Sequence, residues 1–455
     1  MERKDIEEII HKNDIEFIQL EIIDLNGVSR SVITPTENFL KNIESSPSYH
    51  CPSVINVFPI TGESIDYTGT GFENDFLNIE MFPDLSTFKH LPWIENTANV
   101  ICDISYSPKV DIDFSKHSSR QQCKAQLQKL EKMGYKMLSA FEYEFYLVDK
   151  KTNQPIYKDI NFAATALEDI VRPVAYDIMR NLRKVGIKPE IYEAEFGPAQ
   201  QEITMVPEFG IQSVDNAILY KKVVKAIAKK HDVKALFLSK PFLEDSGCSN
   251  HFNHSLWDLS DHSNVFYDAE QPDKMSKIFK NWLGGLQKHS KALTALFCIT
   301  TNCFERCKVS TFSPTNNSWG YDNRTVGFRT KSDSESHNYL ENRIPGAGSN
   351  PYLVMTGCLI AGMDGIERNL QPKSKAYSGN MYEAKELPDG VENLPGNLDE
   401  AVQHLQDDKI ISSELGDVFV KAYVAIKKND HEKWTKMINN DSKWEKYRND
   451  LGLYL

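Results

Sequence analysis

Two glutamates stand at alternate positions in a segment that is otherwise aromatic and aliphatic. Residues 141–148 read FEYEFYLV, and the two carboxylates belong to Glu142 and Glu144. In a β-strand, residues i and i+2 share a face, so both glutamates project to one side and the aromatic residues to the other. An ionised carboxylate without a partner is very costly in an apolar interior, and two neighbouring carboxylates repel each other. The pattern therefore indicates either a solvated face or a face that binds cations.

A second pair of glutamates flanks a turn. In EAEFGPAQQEI (193–203), Glu195 and Glu202 lie on either side of the dipeptide Gly197-Pro198. Gly-Pro dipeptides mark turns, and a turn at this position brings the two carboxylates together across a hairpin. This segment therefore also presents hard oxygen ligands.

Two further strand-like segments contribute an imidazole and another carboxylate. HFNHSLWD places His251, Asn253 and Ser255 on one face. ENRIPG places Glu341 and Arg343 on one face in the same way. Carboxylates with one imidazole suit Mg²⁺ or Mn²⁺ better than Zn²⁺. Together these segments predict a site for a hard divalent cation.

Several arginines in the last third of the chain offer the complementary charge. They lie in polar stretches that contain Gly or Pro: Arg306, Arg324, Arg329 and Arg343. Guanidinium groups bind carboxylate and phosphate in bidentate fashion, although a surface ion pair is the alternative for any single arginine. An acidic metal cluster beside several arginines is what transfer of a phosphoryl group from a nucleotide requires. The sequence contains no GxxxxGK[ST] motif, so a nucleotide site here is not a P-loop.

The pattern of strand-like and helix-like segments around these residues predicts an α+β protein with a small N-terminal and a large C-terminal domain. Residues 15–34 alternate around an Asn-Gly dipeptide, which predicts a β-hairpin, and residues 98–106 predict a further strand. The polar, unpatterned segment 107–119 marks the boundary. We therefore divide the chain into domains 1–110 and 111–455.

Helices and strands alternate in the predicted C-terminal domain. The hydrophobic periodicity predicts helices at 120–135, 165–186, 215–231 and 352–366, and strands at 141–149 and 187–196. The tail after Asp430 is charged and predicts one or two surface helices.

Composition excludes several classes of protein. The 455 residues carry a net charge of −12, which argues against non-specific nucleic-acid binding. The charged N-terminus lacks the apolar core of a signal peptide, and the longest apolar run is shorter than the ~20 residues of a membrane span. Eight cysteines without a CxxC pair predict reduced thiols. We expect a soluble, cytoplasmic protein with neither nucleic-acid nor membrane partners.

In their order along the chain, the motifs resemble those of the glutamine synthetase superfamily over nearly the whole length. The matching segments are the DLNG hairpin, PDLSTFKHLPW, FEYEF, EFGPAQQE, NHFNHSL, NR(x4)R, ENRIPGAGSNPYL and AGMDGI. The spellings EFGPAQQE and ENRIPG are more similar to the γ-glutamylpolyamine synthetase and lengsin branch than to true glutamine synthetases. VPEFGIQSVDNA and NHSLWD are particularly similar to lengsin.

The resemblance implies an architecture and a reaction. It implies an N-terminal β-grasp domain, a catalytic domain whose antiparallel strands form a half-barrel, and homo-oligomers of stacked rings, commonly dodecamers. In this family ATP phosphorylates the γ-carboxyl group of glutamate, and an amine then attacks the acyl phosphate. ATP is thus a co-substrate, and glutamate and an amine are the small-molecule partners.

The resemblance also implies roles for individual residues. Six match ligands to two divalent cations, Mg²⁺ or Mn²⁺: Glu144, Glu195 and Glu202 for one, and Glu142, His251 and Glu341 for the other. Three match glutamate-binding positions: Arg306, Arg343 and Gly247. Two match arginines that stabilise the transferring phosphoryl group: Arg324 and Arg329. Three fall at nucleotide-binding positions: Asn253, Ser255 and Tyr339. The choice of Glu195 rests on the EFGPAQQE spacing, and Glu193 stays a second candidate.

The sequence departs from the family where ammonium binds. Two segments that carry an acid in the family contain none here. One is 45–62, where Cys51 lies nearest the position of an ammonium-site aspartate, and the other is 309–321, at the position of a flap glutamate. A cation pocket without carboxylates lacks both charge stabilisation and a base. Asn253 stands where the family has a histidine, and Tyr339 stands where an arginine is common in the family.

These departures leave three functions open. We expect an ATP-dependent glutamate–amine ligase whose nucleophile is an amine other than ammonia. The first alternative is a catalytically inactive, lengsin-like structural or interaction protein that forms rings. The second is a sensor that binds metal or nucleotide without turnover. The sequence does not name the amine.

Overall fold

The computed structural model describes the chain with the exception of residues 46–48, 53–56, 64, 66–67, 71–72, 74, 106–112, 161, 309–311 and 439–440. The predicted domain boundary between residues 110 and 111 lies outside the described residues. Parts of the two acid-free segments, 45–62 and 309–321, also lie outside them. Within the described part of the chain, no helix combines the length and the apolar character that crossing a membrane requires.

The N-terminal part contains the predicted hairpin. Its strands β1 (Phe17–Ile23) and β2 (Ser29–Pro35) pair antiparallel, which confirms the prediction. The turn between them depends on the carboxylate of Asp24, which accepts a hydrogen bond of 2.9 Å from the backbone N–H of Asn26. Gly27 then adopts a φ of +80°, a left-handed conformation that favours glycine. The Asn-Gly dipeptide thus lies at the turn, as its chemistry predicts.

The remaining N-terminal elements complete a mixed sheet. They are α1 (Arg3–Lys12), α2 (Thr36–Ser45), β3 (Tyr49–Pro52), β4 (Asn78–Pro83), β5 (Lys89–His90) and β6 (Thr97–Ser105). Among the described residues the strand order is β2-β1-β6-β4-β3, with β5 on β6, and β1 runs parallel to β6. Helix α2 packs on β1 and β2. A separate core that includes Leu20, Phe39 and Val100 stabilises this unit, consistent with the expected β-grasp domain.

The larger part of the chain begins with α3 and the long strand β7. Its strands are β7 (Tyr135–Asp149), β8 (Pro189–Ala194), β9 (Gln200–Met205), β10 (Glu208–Phe209), β11 (Val233–Leu236), β12 (Asn250–Asp258), β13 (Trp319–Tyr321), β14 (Phe328–Ser332) and β15 (Asn338–Asn342). Its helices are α3 (Ser119–Lys132), α4 (Glu168–Lys184), α5 (Ile211–Lys230), α6 (Lys277–Phe297), α7 (Thr301–Arg306), α8 (Pro351–Glu367), α9 (Leu398–Asp407), α10 (Lys409–Leu415), α11 (Asp417–Ile438) and α12 (Asp441–Tyr454). The helices predicted around 120–135, 165–186, 215–231 and 352–366 are confirmed as α3, α4, α5 and α8.

One curled sheet positions the candidate residues. Within the described residues its order is β13-β14-β15-β12-β7-β9-β8, with β10 and β11 also pairing with β7. All of its pairs are antiparallel except β13 with β14. The α+β class and the antiparallel half-barrel predicted from the sequence are therefore confirmed. Because β7 lies between β12 and β9, its side chains face residues from two segments that are distant in sequence.

The C-terminal tail corrects one expectation. The tail is helical as predicted, in α11 and α12, but its placement on the surface is wrong, because Trp434, Trp444 and Tyr447 are buried in a small core with Leu238. Tyr447 also accepts a hydrogen bond of 3.0 Å at its hydroxyl oxygen from the backbone N–H of Asn302, in α7. The tail therefore supports the helix whose last residue is one of the candidate arginines.

Candidate active site

Glu142 and Glu144 project from β7 into a cavity of about 510 Å³. The aromatic residues that alternate with them, Phe141, Tyr143 and Phe145, are fully buried in the main core. This division follows from the strand geometry, since successive side chains point to opposite faces of the sheet. The apolar residues hold β7 in place, and the carboxylates are left facing the cavity.

Glu144 belongs to the first of two groups of potential metal ligands. One carboxylate oxygen each from Glu144, Glu195 and Glu202 lies within 4.8 Å of the others. Glu144 and Glu202 are partners in the antiparallel register of β7 and β9, and Glu195 follows β8 at the hairpin turn. Glu193 lines the same cavity but is exposed and is not part of the group.

Glu142 belongs to the second group, with His251 and Glu341. Their ligand atoms again lie within 4.8 Å of one another. Nδ1 of His251 lies 3.5 Å from Oε2 of Glu142 and 3.3 Å from Oε1 of Glu341. Glu142 and His251 are partners in the register of β7 and β12, and β15 brings Glu341 alongside β12. Adjacent strands thus carry one ligand each.

The carboxylates of the cavity resist ionisation in the absence of added positive charge. Burial raises the pKa of Glu142 to about 7, and the nearby charge of Glu341 adds to the rise. Burial also raises the pKa of Glu195 to about 8, with Glu144 adding to the rise. The pKa of Glu202 is raised well above its ordinary value, chiefly by burial. Positive charge within the cavity would favour the ionised carboxylates and lower these pKa values.

Glu341 differs because guanidinium groups neutralise it. Nη1 of Arg329 donates a hydrogen bond of 2.9 Å to Oε2 of Glu341, and Arg343 forms an ion pair with the same carboxylate. Burial opposes ionisation of Glu341, but these two arginines outweigh it and hold its pKa below the ordinary value. Burial, followed by the charge of Arg343, lowers the pKa of His251 well below its ordinary value. The imidazole is therefore neutral, the form that binds metal.

The other sequence-predicted arginines lie around the same cavity. Arg306, Arg324 and Arg343 line it together with Gly247. Arg306 is buried, and its guanidinium group donates hydrogen bonds to the backbone carbonyls of Ile344 at 2.9 Å and Arg343 at 3.1 Å. Gly247 is in close contact with it, because a Cβ at Gly247 would lie only 2.8 Å from Cγ of Arg306.

The three residues predicted to bind nucleotide line a second cavity, of about 420 Å³. It is lined by Asn253, Ser255 and Tyr339, and Glu142 lines both cavities. The hydroxyl of Ser255 accepts a hydrogen bond of 2.9 Å from Nε1 of Trp257. The two spaces therefore meet at one carboxylate, with the arginines on one side and the predicted nucleotide positions on the other.

Two residues that the sequence did not single out hold Glu144 in place. Nε2 of Gln200 donates a hydrogen bond of 2.8 Å to Oε2 of Glu144, and the backbone N–H of Ser249 donates one of 3.1 Å to the same atom. The hydroxyl of Ser249 donates to the other carboxylate oxygen. Gln200 stands within the EFGPAQQE motif, and this position was a signal that could have identified it.

Comparison with known proteins places this fold and cavity in a family. Residues 116–447 match the family model "Glutamine synthetase, catalytic domain". The chain is 30% identical over 451 residues to glutamate–isopropylamine ligase from Pseudomonas sp, covering 97% of this chain and 96% of that protein. It is 32% identical over 446 residues to lengsin from Rattus norvegicus, covering 94% and 75% of the two chains.

The solved structures agree in fold. A structure described as "GmaS/ADP complex-Conformation 1" superposes with a TM-score of 0.81 at 23% sequence identity, covering 95% of this chain and 96% of the other. The matched catalytic domain, the full-length similarity to a ligase and to lengsin, and the motifs that carry the cavity residues agree with one another. The chain therefore belongs to the glutamine synthetase superfamily of carbon–nitrogen ligases, in its lengsin-like branch.

Proposed function

We propose that the protein is an ATP-dependent glutamate–amine ligase that acts through a γ-glutamyl phosphate intermediate. The observation that carries the proposal is the pair of three-ligand groups in a cavity that arginines also line. The named ligase activity of the Pseudomonas relative supports the same reaction class. Phosphoryl transfer from ATP to a carboxylate combines two anions, so it requires concentrated positive charge, and the cavity is built to hold such charge.

The two groups fit divalent cations such as Mg²⁺ or Mn²⁺. Five carboxylates and one neutral imidazole are hard ligands, and the atoms of each group are close enough to share one ion. We assign one ion to each group: Glu144, Glu195 and Glu202 for the first, and Glu142, His251 and Glu341 for the second. When bound, the cations supply positive charge that offsets both the carboxylates and the phosphates of ATP.

The first step phosphorylates glutamate. An oxygen of the γ-carboxylate attacks the γ-phosphorus of ATP, the bond to the bridging oxygen breaks, and ADP leaves with the electron pair. We assign to Arg324 and Arg329 the role of stabilising the negative charge that spreads over the phosphoryl group during its transfer. We assign Asn253, Ser255 and Tyr339 to the nucleotide, because they line the second cavity.

The second step forms the amide. The amine nitrogen attacks the γ-carbonyl carbon, inorganic phosphate leaves, and the nitrogen loses a proton. We assign Arg306, Arg343 and Gly247 to glutamate, since they line the first cavity together. The segments 45–62 and 309–321 contain no acid that could bind ammonium and accept its proton, so we propose an amine other than ammonia.

A ring-forming structural or interaction protein without catalysis is the second candidate. The 32% identity to lengsin over 446 residues and the acid-free segments favour it. Against it stands the cost of the cavity, because buried carboxylates and guanidinium groups that bind nothing would only destabilise a scaffold.

A turnover experiment separates the two candidates. Full-length protein is incubated with ATP, glutamate, Mg²⁺ or Mn²⁺ and a panel of amines that includes ammonium, and both ADP and the γ-glutamyl amide are measured. The ligase predicts amide formation that Glu341→Gln abolishes and that Glu8→Gln, a matched change of an exposed glutamate in α1, leaves unchanged. Absence of ADP release with every amine, together with absence of metal-dependent ATP binding, contradicts the proposal.

Membership of the family also supports a proposal about assembly and location. We propose a homo-oligomer of stacked rings, a dodecamer, in the cytoplasm. Light scattering of the purified protein should give about twelve times the mass of one chain, and a monomeric mass contradicts the proposal.

A further inference from the structure

Three phenylalanines are exposed at the cavity that holds the first group of ligands. Phe162, Phe196 and Phe312 are 54%, 41% and 56% exposed. Their rings form one cluster, with centroids 6.0 Å apart for Phe162 and Phe196 and 5.1 Å apart for Phe196 and Phe312. The three residues come from three separate connecting segments. Single exposed aromatic residues are common, whereas a contiguous group of them at a cavity indicates a binding surface. We refer to these three residues as the phenylalanine cluster.

The cluster adjoins the chemical centre of the cavity. Phe196 directly follows Glu195, and its backbone N–H donates a hydrogen bond of 3.3 Å to Oε2 of that glutamate. All three rings line the same space as Gly247 and Arg306. A molecule resting on the rings therefore shares this space with the residues assigned to glutamate.

The backbone at Phe312 is also unusual. Its φ is +59°, in the left-handed region that bulky side chains rarely adopt. Strained conformations of this kind concentrate at functional sites, where the orientation of the side chain matters more than local stability. Phe312 lies in the segment 309–321, which contains no acid, so its ring stands in a stretch that offers no carboxylate to a bare ammonium ion.

The chemistry of the rings selects among amines. A phenyl face attracts an ammonium group through its quadrupole and buries an alkyl or aryl body by the hydrophobic effect. Ammonium has no body to bury, and the extra ammonium groups of a polyamine interrupt its apolar body, so less of that body gains from burial against the rings. A monoamine with an apolar body gains from both interactions.

We propose that the phenylalanine cluster binds the body of the amine substrate, and that this substrate is a primary monoamine with an alkyl or aryl group. The inference rests on the proposed ligase function. The bound ammonium group first loses one proton to water, and the free amine nitrogen then forms the C–N bond as the C–O bond of the acyl phosphate breaks. Phosphate leaves with the electron pair and the nitrogen releases a second proton to water, which gives an N-substituted γ-glutamyl amide.

The test compares amines of equal charge and increasing apolar size. The full-length protein is assayed with ammonium, methylamine, isopropylamine and benzylamine, and with spermidine as the polyamine, by ADP release and by mass spectrometry of the amide. We expect kcat/KM to rise roughly tenfold or more from ammonium to the larger monoamines, as burial of a few methylene groups gives. Phe196→Ala and Phe312→Ala should remove most of this rise and leave the KM for ATP unchanged. Phe17→Ala, which alters an exposed phenylalanine in β1, is the matched control and should keep the rise.

A second variant keeps the test informative if an alanine variant folds poorly. Phe312→Glu places a carboxylate at the cluster and should shift relative kcat/KM from alkylamines toward ammonium by about tenfold or more. Turnover with ammonium or spermidine in preference to the monoamines overturns the inference and leaves the ligase function standing. Alanine variants with unchanged amine selectivity but an altered oligomeric mass also overturn it, because the rings would then cover a second copy of the chain. Absence of turnover with every amine overturns both.

Discussion

Glu341 allows the charge balance of the cavity to be tested directly. Its side chain is 2% exposed and lies between Arg329 and Arg343, whose charges hold its pKa below the ordinary value. In Glu341→Gln both guanidinium groups remain in place without this counter-charge. Breaking a buried ion pair costs about 3–5 kcal/mol. Because Arg329 keeps its ion pair with Asp322, we expect a loss at the lower end of this range. The free energy of unfolding of the metal-free protein should fall by about 3 kcal/mol.

Glu142→Gln is the matched change, and it should act in the opposite direction. Glu142 belongs to the same group of potential metal ligands, but burial and the charge of Glu341 raise its pKa from 4.5 to about 7. Above pH 4.5 the unfolded chain releases this proton while the folded chain retains it, so stability is lost as the pH rises toward 7. Removing the ionisable group relieves as much as about 3 kcal/mol of this penalty at about pH 8.

Urea unfolding at about pH 8 in EDTA, followed by circular dichroism, measures both effects. We expect the metal-free Glu341→Gln protein to be less stable than the wild type and the metal-free Glu142→Gln protein to be as stable or more stable. With Mg²⁺ and ATP, both variants should lose ligase activity, since each removes an assigned ligand. Equal destabilisation of the metal-free protein by the two substitutions would contradict the opposite effects expected for Glu341 and Glu142.

Three further outcomes follow from the geometry. Burial raises the pKa of Glu195 from 4.5 to about 8, so the folded protein holds a proton that the unfolded chain releases. The melting temperature in EDTA should therefore fall as the pH rises from about 5 to 8, and Mg²⁺ should weaken this dependence on pH. A Cβ at Gly247 would press against Cγ of Arg306 at 2.8 Å, so Gly247→Ala should raise the KM for glutamate about tenfold without changing that for ATP. Gly396→Ala should change neither, because its Cβ would make only an ordinary contact of 3.7 Å with Oε2 of Glu400. Tyr447→Phe leaves a buried backbone N–H in α7 without its acceptor, so urea unfolding should show a loss of about 1–3 kcal/mol; unchanged stability would contradict the role given to the tail.

Local patterns in the sequence predicted much of the fold. The hairpin before Pro35 and the face that Glu142 and Glu144 share follow from alternation and turn chemistry, which involve neighbouring residues only. The buried tail was missed for the same reason. Trp444 and Tyr447 stand in a helix rich in charge, and their burial depends on Leu238, about half the chain length away in sequence.

The neighbours of the cavity residues were harder to predict. Gln200 and Ser249 hold Glu144 across separations of 56 and 105 residues, which the order of the strands creates and no local period records. The phenylalanine cluster was missed because its three rings come from connecting segments, which carry no periodicity. The six assigned ligands stood out from the pattern of several strand-like segments, since a lone pair of strand glutamates equally suits a solvated face. Their division between two cations came from the resemblance to a family.

Activation of glutamate by ATP before an amine attacks can be tested by following the transfer of an oxygen isotope. Glutamate labelled with ¹⁸O in its γ-carboxylate is supplied with ATP, Mg²⁺ and the preferred amine, and the inorganic phosphate is analysed by mass spectrometry. We expect each amide formed to be accompanied by transfer of a single ¹⁸O atom to phosphate, because the acyl phosphate breaks at its C–O bond. Phosphate without label, released at the rate of amide formation, would contradict it.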